Sequence, residues 1–314
     1  MIHFISCDWG TSSFRLRLIE IASKKQLAET RSAKGIAATY ALWKEQSWVD
    51  SISFYSDALQ QQIKILEEQT GYSLDGITVI ISGMASSTIG MMELPYKPIP
   101  YNIKEATLKT HLIAATATFR HDVILVSGVC SSDDVIRGEE TILAGCDVEG
   151  GKAEQLFIFP GTHSKHVTVK AGMIQDIKTF MTGEIFALLS TKSILSTSVE
   201  KDADNVKDKV FIKGVKAAQN NQLLNNIFHV RTNTLFGKLN KEENYHYLSG
   251  LIIGEELKSV AKEEYVSVTI VSTGELMEIY GKALTALGLA HMVQQQNADD
   301  ALIKGQVAIA GYYQ

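Results

Sequence analysis

Several residue types are scarce in this 314-residue chain, and each shortage excludes a class of protein. Four prolines and no long polar tract leave little room for a flexible linker. The three cysteines, Cys7, Cys130 and Cys146, form no CxxC pair, which favours small buried thiols over a disulfide framework. No run approaches the roughly 18 apolar residues of a membrane helix, and the start, MIHFISCDWG, lacks a basic leader. We therefore expect a cytoplasmic protein with no membrane partner.

A surplus of basic residues is also missing. The chain has 35 acidic and 30 basic residues, a formal charge of -5. Nucleic-acid binders replace phosphate counterions with Lys and Arg, so we expect no nucleic-acid partner. Hydrophobic residues make up 45% and charged residues 21%, an ordinary globular composition, and the length favours two domains.

Short apolar runs alternate with segments of helical spacing along the chain. The runs predict buried strands at 77–82, 123–126, 156–159 and 265–271. The spacing between them predicts helices at 47–70, 104–119, 139–147, 183–195, 245–261 and 275–288. Strands that alternate with helices indicate an α/β protein.

Two segments, 2–20 and 155–169, instead predict strand–turn–strand hairpins. In the first, Phe14, Leu16 and Leu18 alternate with other residues after the turn, as on one face of a hairpin strand. The turn glycines, Gly10 and Gly161, stand about half a chain length apart. This weak repeat predicts two similar domains that face each other across a cleft, 1–150 and 151–314.

The residues of these turns, DWGTSS and PGTHSK, suit phosphate binding. Exposed backbone N–H groups and hydroxyls form concave nests for phosphate oxygens. For either turn alone, a plain hairpin turn whose hydroxyls bond their own backbone explains the residues equally well. The presence of two such turns, each at the end of a buried strand, favours the phosphate-binding interpretation over plain hairpin turns. The competing motifs GxGxxG, Walker A, HRD with DFG, and GxSxG are all absent from the sequence.

Together these motifs resemble the actin-like, sugar-kinase ATPase superfamily, and within it the 2-dehydro-3-deoxygalactonokinase family. The resemblance extends over nearly the whole chain. It is carried by DWGTSSFRLRL at 8–18, ISGMASSTIGMMELPY at 81–96, RGEET at 137–141, FPGTHSKHV at 159–167, FMTGEI at 180–185 and LSGLIIGEE at 248–256. It implies two α/β domains of the ribonuclease H-like, actin-like ATPase type.

The resemblance also implies ATP and Mg²⁺ as cofactors. Asp8 would bind the Mg²⁺ of ATP at the end of the first strand. The residues expected at the nucleotide are Gly10, Thr11 and Ser12 in the first turn, Gly161, Thr162 and His163 in the second, and Thr273 and Gly274 before a predicted helix.

A carboxylate is expected to accept the proton of the substrate hydroxyl. Glu139, which follows Gly138 at the start of a predicted helix, is our first choice. Asp134, with its neighbour Asp133, and Glu140 remain alternatives.

A sugar-acid substrate calls for a cation, for which Arg15 and Arg137 are candidates. Arg17 is interpreted as a solvated charge. The loop 83–87 follows a buried strand at the end where α/β sheets place ligands. Its Met84, Ser86 and Ser87 are therefore candidates for the sugar acid, with a helix cap as the alternative.

The resemblance implies ATP-dependent phosphorylation of the 6-hydroxyl of 2-dehydro-3-deoxy-D-galactonate in galactonate catabolism. The alternative substrate is the epimeric 2-dehydro-3-deoxygluconate. The alternative functions are an actin-like ATPase and a sugar sensor, both without kinase activity. The partner would be a small sugar acid, and the oligomeric state stays open. The last segment, from about Asp299, is expected to pack back on the first domain.

Overall fold

The computed structural model describes residues 2–46, 48–103, 109–201 and 208–313. The chain divides into two compact units. The first comprises Met1–Glu149, Gly172–Asp176 and Ala298–Gln314, and the second comprises Gly150–Ala171 and Ile177–Asn297. Among the described residues, no helix is both long enough and apolar enough to cross a bilayer.

Strands and helices are numbered in chain order. Up to Glu149 they are β1 (His3–Trp9), β2 (Phe14–Glu20), β3 (Lys25–Ser32), α1 (Ile36–Glu45), α2 (Ser51–Thr70), β4 (Val79–Gly83), β5 (Lys97–Pro98), β6 (Tyr101–Asn102), β7 (Thr110–Ile113), β8 (Val123–Val126), β9 (Val129–Cys130), β10 (Val135–Ile136) and α3 (Glu139–Ala144). The remainder are β11 (Glu154–Phe159), β12 (Ser164–Lys170), β13 (Met173–Phe180), α4 (Thr182–Lys192), α5 (Asp208–Ala217), α6 (Leu223–Leu235), α7 (Lys241–Glu256), β14 (Ser267–Ser272), α8 (Gly274–Ala286), β15 (Val293–Asn297) and α9 (Ala298–Ala310).

The first unit is built on a mixed sheet with the order β3–β2–β1–β4–β8–β7. The predicted hairpin is present as β1 and β2, and β1 also pairs in parallel with β4. That parallel register sets Asp8 beside Ser82 and Trp9 beside Gly83, so the carboxyl ends of the two strands lie side by side. Such ends are where open α/β sheets bind ligands.

Helix α2 begins later than the predicted 47–70 segment because Asp50 caps it. The Asp50 carboxylate accepts a hydrogen bond from the backbone N–H of Ser53 at 2.9 Å. The apolar face of α2 buries Tyr55, Leu59 and Ile63 against the sheet core. Burying a large apolar side chain contributes about 1.5–3 kcal/mol, which makes this face a main support of the sheet.

The helix predicted at 104–119 is wrong. Residues 104–108 lie outside the described part of the chain, and Thr110–Ile113 form β7. This strand pairs antiparallel with β8, with Thr110 opposite Val126 and Ile113 opposite Val123. Hydrogen bonds to the neighbouring strand outweigh the weak helical spacing of this segment. The prediction failed because local spacing carries no information about such a partner strand.

The closing helix α9 belongs to the first unit and packs closely on α3. A Cβ at Gly145 would lie 1.8 Å from the carbonyl oxygen of Ala301, and a Cβ at Gly305 would lie 2.0 Å from that of Thr141. Only glycine permits this approach of two helix backbones. The contact fixes α3, the helix that begins with Glu139.

The second unit contains a sheet with the order β15–β14–β11–β12–β13. The predicted hairpin is present as antiparallel β11 and β12, and β11 pairs in parallel with β14. Leu156, Ile158, Val268 and Ile270 form its buried face with residues of α5, α7 and α8. The first residues of β13, which belong to the first unit, pair with β6.

Candidate functional site

The first predicted phosphate turn joins β1 to β2 and is covered by the start of α1. The carbonyl oxygen of Gly10 accepts from the N–H of Ile36 at 2.9 Å, and that of Thr11 accepts from the N–H of Ala37 at 3.1 Å. A Cβ at Gly35 would lie 2.4 Å from the Thr11 oxygen, so helix and turn are in direct backbone contact. Two carbonyls of the turn are thus occupied by helix amides.

The hydroxyl side chains of this first turn remain available to a ligand. Thr11, Ser12 and Ser13 are all exposed. With two of its carbonyls occupied, the turn offers mainly hydroxyls to its surroundings, an arrangement that favours an anion.

The second turn, between β11 and β12, has the same construction. The N–H of Glu184 in the first turn of α4 donates to the carbonyl oxygen of Thr162 at 3.0 Å. A Cβ at Gly183 would lie 2.7 Å from the carbonyl oxygen of Gly161. His163 is exposed and bonds the Glu184 carboxylate through Nε2 at 2.5 Å. Both predicted turns are therefore held by a glycine contact at a helix start.

Asp8 is half-buried at the end of β1, and its pKa lies above the usual value. Burial raises this pKa most; the charges of Arg15 and Arg17 oppose the rise, and that of Asp299 adds to it. The carboxylate is therefore short of compensating positive charge, which a divalent cation would supply. Among the described residues no group of three or more His, Cys, Asp and Glu side chains forms a metal cluster. One carboxylate together with phosphate oxygens nevertheless suits Mg²⁺, so Asp8 fits the implied metal.

The two arginines of β2 are held by an acidic partner from α9. Arg15 Nη1 bonds the Asp299 carboxylate at 2.5 Å, and Arg17 Nη2 lies 2.9 Å from the same oxygen. Arg17 is 1% exposed and also bonds Glu29 at 2.8 Å. The interpretation of Arg17 as a solvated charge is therefore wrong, since a buried guanidinium needs such partners. Arg15, a candidate for the sugar acid, is already paired.

The loop after β4 and the segment before α3 meet through Arg137. Its Nη1 donates to both the carbonyl oxygen and the hydroxyl of Ser86, each at 2.5 Å. Its Nε bonds the Tyr96 hydroxyl at 3.3 Å, and the guanidinium stacks 4.1 Å from the centre of that ring. Ser87 donates its hydroxyl to the carbonyl oxygen of Met84 at 2.7 Å. The structure thus brings Arg137 and Ser86 together, with Arg137 fixing the loop.

The candidate bases differ in how accessible their carboxylates are. Glu139 is half-buried, and its Oε2 accepts from the N–H of Arg137 at 2.9 Å. Glu140 is 2% exposed and accepts from the N–H of Gly138 at 2.7 Å and from the hydroxyl of Thr141 at 2.9 Å. Burial, followed by repulsion from Glu139, raises the pKa of Glu140 to about 7. Glu139 is the carboxylate a substrate can reach with less rearrangement.

Asp134 lies apart from this helix start in the turn between β9 and β10. Its carboxylate accepts from the N–H of Val135 at 2.9 Å, and its own N–H donates to the hydroxyl of Ser131 at 2.8 Å. These bonds are those of a local turn. By contrast, a Cβ at Gly138 would lie 3.3 Å from the Cα of Gly83, which places Glu139 next to the end of β4.

A largely apolar pocket in the second unit adjoins the second turn. Its lining includes Gly161 of the turn and Gly183 of α4. The other lining residues are Thr182, Phe186, Phe211, Tyr245, His246, Ser249, Ile252, Ile253, Glu275, Leu276, Ile279 and Tyr280. An apolar cavity with a few polar groups, here beside the predicted phosphate turn, has the composition typical of a small-molecule site. The predicted Thr273 and Gly274 are exposed and directly precede Glu275 of this lining.

Sequence reasoning missed three features of these sites. Two are Gly35 and Gly183, which contact the backbone of the two turns. Their position just before a helix, or in its first turn, was the sequence signal that could have identified them. The third is Glu256, a buried carboxylate bonded to Thr182 and Tyr280 of the pocket lining. Its partners come from distant parts of the chain, so no local pattern marks it.

Comparison with known proteins gives consistent matches over nearly the whole chain. The family model described as 2-keto-3-deoxy-galactonokinase matches residues 8–309. A protein of Rhizobium meliloti (strain 1021), provisionally named a 2-dehydro-3-deoxygalactonokinase, is 30% identical over 98% of this chain and 96% of its own length. The 2-dehydro-3-deoxygalactonokinase of Escherichia coli (strain K12) is 29% identical over 91% of this chain and 90% of its own.

A solved structure agrees in fold. The crystal structure of a protein from Sinorhizobium meliloti, also provisionally named a 2-dehydro-3-deoxygalactonokinase, superposes with a TM-score of 0.82 at 29% identity. The match covers 99% of this chain and 96% of that one. The ethanolamine utilization protein EutJ of Carboxydothermus hydrogenoformans, at 11% identity and a TM-score of 0.50, shares the fold alone. The predicted fold class, α/β of the actin-like ATPase type, is confirmed.

Proposed function

The chain belongs to the 2-keto-3-deoxy-galactonokinase family, and we propose that it transfers the terminal phosphate of ATP to the 6-hydroxyl of 2-dehydro-3-deoxy-D-galactonate. The products are ADP and the 6-phospho acid. The observation that carries the proposal is the family match over residues 8–309, which contains both phosphate turns and every candidate site residue. We place the reaction in galactonate catabolism in the cytoplasm.

In this proposal the second unit binds the nucleotide. The adenosine occupies the apolar pocket beside the second turn, next to Thr273 and Gly274. Gly161, Thr162 and His163 approach its phosphates. The existing bond between Thr162 and α4 supports this assignment, because it holds the turn in place before a ligand arrives.

The first unit supplies the metal-binding carboxylate and the acceptor chemistry. Asp8 holds Mg²⁺, which when bound neutralises phosphate charge, and Gly10, Thr11 and Ser12 contact phosphate oxygens. Phosphoryl transfer depends mainly on such positioning and charge neutralisation. The raised pKa of Asp8 supports this role: burial raises it, and the charges of Arg15 and Arg17 do not fully offset that effect, so a bound cation would stabilise the carboxylate further.

Glu139 accepts the proton of the substrate hydroxyl in this proposal. Its half-buried carboxylate, at the start of α3 and beside the end of β4, supports this role more strongly than the enclosed carboxylate of Glu140. Asp134, in its local turn, is the second alternative. The sugar acid lies against the loop that carries Met84, Ser86 and Ser87, with its carboxylate directed to Arg137 or Arg15.

A coupled ADP-release assay with Mg·ATP tests the function. We expect turnover that requires 2-dehydro-3-deoxygalactonate and is lost in Asp8→Ala, since no other carboxylate ends β1. ATP turnover that is indifferent to the sugar acid would overturn the kinase proposal. A preference for 2-dehydro-3-deoxygluconate would keep the mechanism and change the substrate.

A further inference from the structure

The carboxylate of Glu256, the last residue of α7, is fully hydrogen-bonded inside the second unit. Oε1 accepts from the hydroxyl of Ser164 at 2.7 Å and from Nε2 of His166 at 2.9 Å. Oε2 accepts from the hydroxyl of Thr182 at 2.5 Å and from that of Tyr280 at 2.6 Å. The donors come from β12, α4 and α8, so one side chain joins four elements.

All five side chains of this network are buried. Glu256 is 3% exposed, and an isolated carboxylate at such a position would strongly favour its neutral form. Burial does raise the pKa of Glu256, but the hydrogen bond and charge of His166 and the hydroxyls of Thr182 and Tyr280 outweigh it. The pKa lies below its usual value, and the group is a carboxylate at neutral pH.

The donors adjoin the nucleotide site. Ser164 directly follows the second turn, and Thr182 directly precedes Gly183, the glycine in contact with that turn. Tyr280 and Thr182 both line the apolar pocket. Glu256 does not line it, so any effect of Glu256 on a nucleotide passes through these residues.

An apolar side chain would fill this space without fixing the orientation of its neighbours. Hydrogen bonds to a charged acceptor are directional and stronger than those between neutral groups. A single buried carboxylate therefore sets the spacing between the second turn, the start of α4 and the pocket wall formed by α8. We propose that Glu256 is a positioning residue that pre-forms the nucleotide site of the second unit.

This inference rests on the proposed function, because it assigns the pocket to the nucleotide. In Glu256→Gln the side chain keeps its volume, but one carboxylate oxygen becomes an NH2 group, which only donates and so accepts from neither of the two donors that this oxygen served. Losing bonds to a charged acceptor beside the turn should weaken Mg·ADP binding by about 10-fold. The KM for ATP should rise in parallel, whereas the KM for the sugar acid should stay the same.

The test measures Mg·ADP binding by calorimetry and both KM values by steady-state kinetics. Asn226→Ala is the matched control: Asn226 is 2% exposed in the same unit and loses bonds to Ala217 and Asn220, none of which lines the pocket. We expect this control to lower the melting temperature without changing nucleotide affinity. Ser164→Ala, which removes one donor, should weaken Mg·ADP binding less than Glu256→Gln, and the double variant should be less affected than the sum of the two.

Three outcomes decide the proposal. Unchanged Mg·ADP affinity in folded Glu256→Gln overturns the positioning role and leaves the kinase proposal intact. Equal losses of affinity in Glu256→Gln and Asn226→Ala also overturn it, because a general loss of stability would then explain both. If the unmodified protein turns over the sugar acid but does not bind Mg·ADP in this pocket, the inference falls with the pocket assignment. Should Glu256→Gln not fold, Ser164→Ala decides by the same criterion.

Discussion

Replacing Gly183 by alanine sets two physical effects against each other. Gly183 is the second residue of α4, and in an unconstrained helix alanine is more stable than glycine by about 0.5–1 kcal/mol. In this protein the new Cβ would lie 2.7 Å from the carbonyl oxygen of Gly161 and 2.8 Å from the Cα of Thr162. Both are backbone atoms, so no side chain can rotate away to make room.

The size of the displacement follows from these distances. An ordinary contact needs at least 3.4 Å, so the second turn and α4 must separate by 0.7 Å at Gly161 and by 0.6 Å at Thr162. That movement also strains the bond between Glu184 and Thr162, which measures 3.0 Å. Misplacing a catalytic group by about 1 Å can cost about 100-fold in rate, so we expect kcat/KM for Mg·ATP to fall by roughly 10- to 100-fold.

Gly281→Ala is the control for helix propensity. Gly281 lies inside α8, and the atom nearest to its new Cβ is Nε2 of Gln295 at 3.1 Å, the end of a flexible side chain. This variant should keep its activity and gain up to about 1 kcal/mol in the free energy of unfolding. Urea unfolding and the coupled kinase assay measure both quantities. If Gly183→Ala matches Gly281→Ala in both, the contact with α4 does not hold the turn and the reasoning is refuted.

The remaining predictions concern the first unit. Glu139→Gln should lower kcat by about 100-fold or more while nucleotide affinity stays the same; if Glu140→Gln alone shows this pattern, the base is Glu140. Burial and repulsion from Glu139 raise the pKa of Glu140 from 4.5 to about 7. The folded state therefore holds this proton more tightly, and the stability it contributes below pH 4.5 is lost as the pH rises through 7. Glu140→Gln should remove this pH-dependent contribution of about 3 kcal/mol to the free energy of unfolding. Relative to the unmodified protein, the variant should therefore be more stable at pH 8 than at pH 4.5. A difference between the two proteins that is independent of pH would contradict the assignment. Arg137→Met removes the hydrogen bonds to Ser86 and should raise the KM for the sugar acid but not the KM for ATP. Steady-state kinetics at varied concentrations of each substrate measure both values. An equal rise in both KM values would show that Arg137 contributes only to general stability.

The hairpins could be predicted from the sequence because their determinants are local. Alternating Phe14, Leu16 and Leu18 follow the turn within a few residues, and all three side chains are buried in β2 as the alternation requires. β7 could not be predicted in this way. Its partner β8 lies beyond a further loop, and the residues of Thr110–Ile113 alone carry no strong strand pattern.

The residues of the candidate site also divide into those that local sequence patterns predict and those that depend on distant parts of the chain. Asp8, Gly10 and Gly161 stand in contiguous motifs, so the sequence points to them directly. The burial of Arg17 could not be foreseen, since its charge is matched by Glu29 on the neighbouring strand and by Asp299 from the far end of the chain. An ion pair between residues distant in the chain leaves no pattern in the local sequence. A charged residue at an alternate position of a strand therefore has the same sequence pattern as an ordinary solvent-exposed charge.

The two turns share the same backbone contacts with a helix start but differ in the side chains that surround them. In each turn at least one carbonyl oxygen accepts a hydrogen bond from an N–H at the start of a helix, and a glycine there contacts the turn backbone. These contacts constrain main-chain atoms and leave the side chains free to differ. Two residues before the turn glycine, the first unit has Asp8 and the second has the buried Phe159. At this position the first unit thus offers a carboxylate and the second an apolar ring, and an apolar pocket adjoins the turn of the second unit. The same backbone arrangement therefore carries an acidic strand end in the first unit and an apolar one in the second, which is the difference we expect if the first binds a metal and the second a nucleoside.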